Sequence, residues 1–256
     1  MLEDKGDYEG AEPLFRRALA ITEKARGPEH PATGTSLNNL GLLLRNKGDY
    51  FGAEPLFRRA LAITEKAQGP DHPATGTRLN NLGLLLQDKG DYEGAELLHR
   101  RALAIAEKAQ GPEHSATGTS LGLLGNVLVE LGRLDEGIDL MYRELKITKK
   151  HDGEDSHSAA GTHRRLGVIL RGAGRYKESR REFHKALEIF ESIHKRKSDE
   201  VAGVLNGLGQ LEALEGNFSL AQKLFAEALE IRREVSPNNV QDIENRLKAA
   251  REGKSI

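Results

Sequence analysis

The sequence predicts an all-α solenoid built from helix hairpins, and three observations lead to that fold class. Apolar residues recur at spacings of three and four, which is the period of an amphipathic helix. Similar stretches return at a fixed period of 42 residues, and a period of this length is typical of repeat proteins. Each period holds a glycine followed by a polar or basic residue and then an aromatic residue or leucine: Gly6, Gly48, Gly90, Gly132, Gly174 and Gly216.

The first helix of each repeat is best seen in residues 31–46. Pro31 suits a first helical position, where a backbone N–H would be unpaired in any case. Gly41 lies inside the helix and costs about 1 kcal/mol relative to alanine, so its recurrence predicts a close approach by the neighbouring helix. The equivalent residues are Gly83, Gly125, Gly167 and Gly209.

A tight turn and a second helix follow. Gly48 ends the first helix, and Asp49 is placed to accept backbone N–H bonds at the start of the next one. The sequence Gly-Pro-Asp-His-Pro at residues 69–73 then breaks the chain before the next cycle. The second helix carries an apolar stripe of Tyr50, Ala53, Phe57, Ala60, Leu61 and Ile63.

This pattern resembles the tetratricopeptide repeat, and within that family the 42-residue repeats of kinesin light chains. The signature consists of Leu40-Gly41, Leu44, Gly48, Tyr50, Ala53, Phe57 and Ala60. The resemblance covers the whole chain and implies a right-handed superhelical solenoid of antiparallel helix hairpins with a concave groove. We expect a single solenoid with a half repeat at 1–27, full hairpins at 28–69, 70–111, 112–153, 154–195 and 196–237, and a capping helix at 238–256.

The two ends of the predicted array differ. No first helix precedes the helix that carries Phe15 and Ile21, so its apolar face should be partly bare. At the other end Val240, Ile243 and Leu247 form a narrow stripe on a polar helix, as expected of a closing cap. We infer a C-terminal piece of a longer array or a protomer that self-associates through its N-terminal edge.

Candidate binding residues follow from the family's groove positions on the first helices. Asparagine can hydrogen-bond both the N–H and the C=O of an extended peptide, although here it can also simply tie neighbouring helices together. In the first repeats the predicted groove residues are Asn38, Leu42, Arg45, Asn80, Leu84 and Gln87, with Asn46 and Asp88 beside them, and Asn206 holds the corresponding place in the last full repeat.

The hairpin at 154–195, which is the fifth when the half repeat is counted as the first, is basic. Arg164 and Arg171 fall on groove positions, where a guanidinium can bind a carboxylate through two hydrogen bonds, so an acidic peptide is a reasonable ligand. The alternative is a solvated charged face neutralised by Glu178, Glu182 and Glu188. The other basic residues of this hairpin are His163, Arg165, Arg175, Lys177, Arg180 and Arg181.

No residue pattern indicates catalysis, a cofactor or a metal centre. The recurring His30, His72 and His114 lie just before helices, where their rings can bond backbone groups. A second group has metal-capable side chains without a recognised ligand spacing, so we expect no metal there. That group is His151, Asp152, Glu154, Asp155, His157 and His163. The sequence also lacks a phosphate-binding glycine loop, a serine elbow and any cysteine nucleophile.

Composition narrows the function classes further. The formal net charge of −1 gives no general reason to expect nucleic acid or membrane partners, and the absence of cysteine excludes disulfides. We predict a cytoplasmic, non-enzymatic scaffold or adaptor that binds a protein or peptide, with acidic extended segments as candidate ligands. The alternatives are a regulatory repeat segment of a larger bacterial signalling enzyme, of the ATPase-switch or caspase-like kind, and a self-assembling structural repeat.

Overall fold

The computed structural model describes residues 8–194, 197–237 and 240–254. These ranges contain helices and no strand, so the all-α prediction is confirmed. None of these helices has the length and apolar character that crossing a bilayer requires. In chain order they are α1 (Tyr8–Arg26), α2 (Pro31–Asn46), α3 (Tyr50–Gln68), α4 (Pro73–Asp88), α5 (Tyr92–Gln110), α6 (Ser115–Glu130), α7 (Leu134–Asp152), α8 (His157–Gly172), α9 (Tyr176–His194), α10 (Asp199–Leu214), α11 (Phe218–Val235) and α12 (Gln241–Arg251).

The chain divides into two compact units, Met1–Leu140 and Met141–Ile256, called here the first and second unit. In the first unit α2 pairs with α3 and α4 with α5, while in the second unit α8 pairs with α9 and α10 with α11. Consecutive hairpins also touch, since α3 packs on α4 and α9 on α10. Within each unit, a hairpin therefore covers part of its apolar surface with the next one, as the repeat pattern predicts.

The helix starts follow the predicted capping chemistry. The Asp49 carboxylate accepts a hydrogen bond of 2.9 Å from the Gly52 N–H at the start of α3. At the start of α4, the His72 Nδ1 accepts a bond of 3.1 Å from the Ala74 N–H, and Pro73 occupies the first helical position. Because His30 and His114 make the same bond at α2 and α6, these recurring histidines are helix caps.

The first-helix glycines admit an aromatic ring from the partner helix. A Cβ atom added at Gly41 would lie 3.0 Å from the Phe57 ring, and one at Gly209 would lie 2.7 Å from the Phe225 ring. At Gly83 the neighbour is the imidazole of His99, at 2.6 Å. The predicted close approach is confirmed, and the approaching group is a side chain of the second helix in the same hairpin.

Each unit has its own core. The first unit packs Leu40, Leu43 and Phe57 with Leu82 and Leu85 between its hairpins. In the second unit one continuous cluster runs from α8 to α12 and includes Phe183, Phe190, Phe225, Ile243 and Leu247. Ile243 and Leu247 of the predicted narrow stripe are therefore buried, whereas Val240 lies just before α12 and is partly buried.

The outer face of α1 is partly bare, as expected. Phe15 packs against the first unit's core, but Leu14 remains 56% exposed and Ile21 58% exposed. This face is an exposed apolar surface in the part of the first unit that the structure describes.

Candidate functional site

In the first unit the predicted asparagines bond to side chains of neighbouring helices. Asn38 on α2 is buried, and its Oδ1 accepts a hydrogen bond of 2.8 Å from the Nδ2 of Asn81 on α4. Asn80, also on α4, donates from Nδ2 to the Ser120 hydroxyl of α6 at 3.0 Å. Both asparagines therefore connect successive first helices, and their contact with a peptide remains a prediction.

A buried histidine, which sequence reasoning missed, holds two of the predicted groove residues. The ring of His99 is fully buried, with Nδ1 at 2.9 Å from Asn80 Oδ1 and Nε2 at 3.1 Å from Gln87 Oε1. Burial lowers the pKa of His99 to about 4, so the ring is neutral at pH 7. A neutral imidazole carries a proton on one nitrogen only, so it donates to one of these two amide oxygens at a time.

The remaining predicted residues of the first unit differ in their surroundings. Arg45 Nε donates to Asp88 Oδ2 at 2.5 Å, so its charge is neutralised by the next first helix. Leu42 is half-buried against the core, and Leu84 is half-buried as well.

Leu84 and Asn80 line a cavity of about 400 Å³ between α4, α5 and α6. Its lining is mainly small or apolar and includes side-chain hydroxyl and amide groups, which is the composition of a typical ligand pocket. The other lining residues include Thr77, Asn81, Ala102, Ile105, Ala106, Thr119, Ser120 and Leu123.

Most basic residues of the fifth hairpin are neutralised in the second unit. Arg175 pairs with Glu178 at 2.7 Å, and Arg180 reaches both Glu212, at 2.7 Å, and Glu215. Arg165 pairs with Glu144. For these residues the geometry fits the alternative interpretation, in which glutamates neutralise a charged face and no ligand is needed.

His163 belongs to a buried network rather than to an open basic surface. Its Nδ1 lies 2.6 Å from Glu182 Oε2, and Glu182 Oε1 accepts bonds from the Tyr142 hydroxyl at 3.1 Å and from Arg181 at 2.8 Å. Burial raises the pKa of Glu182, but the bonds from His163 and Arg181 outweigh it and the pKa is lowered overall. This network holds α8 against α9 inside the second unit.

Arg164 and Arg171 lack the carboxylate partners that their neighbours have. Arg164 is exposed and makes no hydrogen bond or ion pair with any described residue. Arg171 is half-buried and reaches only the Gly207 carbonyl oxygen, at 3.3 Å. Burial, and next the charge of Arg246, lower the pKa of Arg171, so its surroundings are short of negative charge.

Asn206 lies on α10, next to the Gly207 carbonyl that Arg171 contacts. Its Oδ1 is buried and has no hydrogen-bond partner among the described residues. Because this atom is buried, a ligand does not reach it in the described arrangement, although the residue as a whole is half-buried.

The metal-capable residues around residues 151–163 do not form one group. His163 is taken up by Glu182, and Glu154 pairs with Lys149 at 2.8 Å. Among the described residues, the group of potential metal ligands combines His157 with His194 and Glu200 from two other helices. No sequence spacing signals this group, because its members are brought together only by the packing of α8, α9 and α10.

Comparisons with known proteins agree on the repeat. The family model described as tetratricopeptide repeat matches residues 1–50, 37–108, 79–150 and 158–234, which together cover most of the chain. None of the curated proteins compared by sequence is significantly similar.

Solved structures with a similar fold include repeat proteins of the kinesin light chain kind. BtubC (BKLC) from P. vanneervenii superposes with a TM-score of 0.75 at 20% identity, covering 90% of this chain and 91% of that one. A putative kinesin light chain of Podosopora anserina with nearly identical repeats gives 0.71 at 20% identity, covering 80% and 97%. MamA gives 0.53 at 18% identity, covering 78% and 92%. At these identities the likeness concerns the fold alone.

Proposed function

The chain belongs to the tetratricopeptide repeat family, and we propose that it is a non-enzymatic scaffold whose second unit binds an extended acidic segment of a protein partner. The fold in general mediates protein–protein interaction or scaffolding. The observation that carries the specific proposal is the absence of carboxylate partners around Arg164 and Arg171, in a hairpin where Arg165, Arg175 and Arg180 all have them.

Arg171 is the stronger anchor of the two. Its guanidinium is partly removed from water, and a charge–charge interaction gains strength where the effective dielectric constant is lower. Arg246 adds positive charge nearby and is itself paired with Asp242 at 2.9 Å. A carboxylate from a partner would neutralise Arg171 and could accept two parallel N–H bonds.

Backbone recognition would come from Asn206. The residue is half-buried on α10, and its side-chain NH2 group can donate to a peptide C=O. Arg164 lies one repeat earlier at the position equivalent to Asn206 and would bind a second carboxylate. Because these residues come from successive first helices, they suit an extended segment.

Apolar contacts are available beside the charges. Val168 on α8 is 42% exposed and Leu214 on α10 is 41% exposed, and both fall on the predicted groove positions. The favoured ligand therefore alternates acidic and apolar residues. In the first unit the cavity beside Asn80 and Leu84 offers a further apolar site, whereas Asn38, Gln87 and Arg45 already have partners.

The proposal is tested with a fluorescein-labelled peptide of alternating glutamate and leucine and with its lysine counterpart. Fluorescence polarisation should show saturable binding of the glutamate peptide only. Arg164→Ala combined with Arg171→Ala should weaken binding at least about 100-fold, since hydrogen bonds to charged groups contribute about 1.5–3 kcal/mol each. Binding should also become less sensitive to salt.

The matched control combines Lys177→Ala with Lys185→Ala. Both lysines are exposed residues of α9 outside the predicted groove positions. Their replacement removes the same net charge as the arginine double variant does. Equal affinity of the two double variants, or equal binding of the glutamate and lysine peptides, would contradict the proposal. We also propose that the protein and its partner are cytoplasmic.

Self-association through α1 is a second candidate function, favoured by the exposed Leu14 and Ile21. Phe15 packs on the core, so a charge there would disturb folding, whereas Ile21→Glu changes the exposed face alone. Sedimentation velocity should show a concentration-dependent dimer that Ile21→Glu dissociates. A monomer at all concentrations would exclude this candidate.

A further inference from the structure

Two histidines and a glutamate meet at the corner between α8, α9 and α10 in the second unit. His157 is the first residue of α8, His194 the last of α9, and Glu200 lies in the first turn of α10. One ligand atom from each side chain lies within 4.8 Å of those from the other two. His157 Nε2 lies 3.6 Å from Glu200 Oε1.

The His157 ring is not needed to cap its helix. At the first three corners a histidine directly before the helix accepts a backbone N–H, as His72 does for α4. At α8 the Ser156 hydroxyl takes that role and accepts from the Ala159 N–H at 3.1 Å. His157 occupies the next position, where Pro31 and Pro73 stand in earlier repeats, so its ring nitrogens are not used in capping.

The His194 ring has an unsatisfied nitrogen at this corner. Its Nε2 is buried and has no hydrogen-bond partner among the described residues. The ring meets that of His157 edge-on, with centroids 5.6 Å apart and planes at 87°. The buried Phe190 packs against His157 at 5.2 Å and gives the cluster an apolar wall.

Glu200 completes the donor set as a carboxylate. Its side chain is half-buried, and its Oε1 faces the His157 ring. A carboxylate is ionised at neutral pH and supplies negative charge to balance a bound cation.

We propose that His157, His194 and Glu200 form a binding site for a divalent transition metal, of which zinc is the best match. Two imidazoles and one carboxylate are a zinc ligand set that leaves a fourth position for water or another ligand. Imidazole ligands favour zinc, copper and nickel over magnesium and calcium. Side-chain rotation would bring the three donors to the usual distances of about 2.0–2.2 Å.

The bound metal would clamp three helix ends together. Residues equivalent to His194 and Glu200 in the earlier repeats include Gln68, Gln110, Ala74 and Ala116, none of which supplies the same donors. The site is therefore particular to this corner and independent of the peptide proposal. Metal binding should raise the thermal stability of the second unit, since it favours the folded state alone.

The test uses the full chain, freed of affinity tags and stripped with a chelator. Isothermal titration with zinc sulfate at neutral pH should give one equivalent bound, and cobalt(II) should develop the visible absorption of a tetrahedral site. His194→Ala should lower zinc affinity at least about 100-fold and Glu200→Gln about 10- to 100-fold, because loss of supporting partners alone has effects of this size.

His184→Ala is the matched control, because it removes one exposed histidine of α9 outside the cluster. Its zinc affinity should equal that of the unchanged chain. Circular dichroism of each metal-free variant separates loss of the site from loss of the fold. If His194→Ala does not fold, Glu200→Gln still tests the site, because it preserves the side-chain volume. Absence of stoichiometric zinc binding, or equal affinities of the Glu200→Gln and His184→Ala variants, would overturn the proposal and leave an ordinary histidine–glutamate ion pair.

Discussion

Two glycines on the same helix give a direct test of how the hairpins pack. Gly203 and Gly209 both lie inside α10. A Cβ atom added at Gly203 would meet nothing within 4 Å beyond its own helix, whereas one added at Gly209 would lie 2.7 Å from the Phe225 ring. Replacing each with alanine therefore makes the same chemical change in two different packing environments.

The expected effects have opposite signs. Alanine at Gly203 should stabilise the protein by about 0.5–1 kcal/mol, because helix propensity improves and nothing is displaced. At Gly209 the same gain is set against an overpacking loss of about 1–3 kcal/mol, since the buried Phe225 ring has to shift. We expect a net loss of about 1 kcal/mol there, and a difference of about 2 kcal/mol between the two variants.

Urea unfolding followed by circular dichroism measures this difference. Gly203→Ala should move the midpoint to higher urea and Gly209→Ala to lower urea, with similar slopes. If Gly209→Ala stabilised the protein as much as Gly203→Ala does, the close contact with Phe225 would be wrong. A shift of both variants in the destabilising direction would instead contradict the open surface at Gly203.

Two further predictions concern histidines of the first unit. Because burial depresses the pKa of His99 to about 4, its protonation favours unfolding, so stability should fall by about 3 kcal/mol as pH drops from about 6.5 to 4. In His99→Phe urea unfolding should show a smaller fall over the same range, and an unchanged fall would refute the buried neutral ring. His72→Ala should lose about 1 kcal/mol as a helix cap is removed, whereas the exposed His184→Ala should be neutral, and equal thermal midpoints would argue against the cap.

Local features of the fold could be predicted from the sequence because their causes lie within one repeat. The Asp49 cap, the His72 cap and the ring contact at Gly41 each involve residues of a single hairpin or corner. Because similar residues return every 42 positions, a correct prediction for one repeat applies to the other repeats as well. The same logic predicts the bare face around Ile21.

Whether a candidate site residue is free or already bonded depends on contacts between repeats. The 42-residue period gives no information about these contacts. Whether an arginine is free or paired is decided by carboxylates on other helices, as Glu212 of α10 does for Arg180 of α9. His99 replaces the phenylalanine found at Phe57, and only packing shows that it binds Asn80 and Gln87. The groove assignments therefore stay predictions, although the structure separates the free residues from the occupied ones.

Nuclear magnetic resonance of the arginine side chains, during titration with the glutamate–leucine peptide, tests the central claim most directly. If an acidic segment binds through unpaired cations of the second unit, the Nε–Hε signals of Arg164 and Arg171 and the side-chain amide of Asn206 should shift with a common saturation curve. The signal of Arg180, already paired with Glu212, should stay in place. Saturable binding that leaves Arg164 and Arg171 unshifted would contradict the claim.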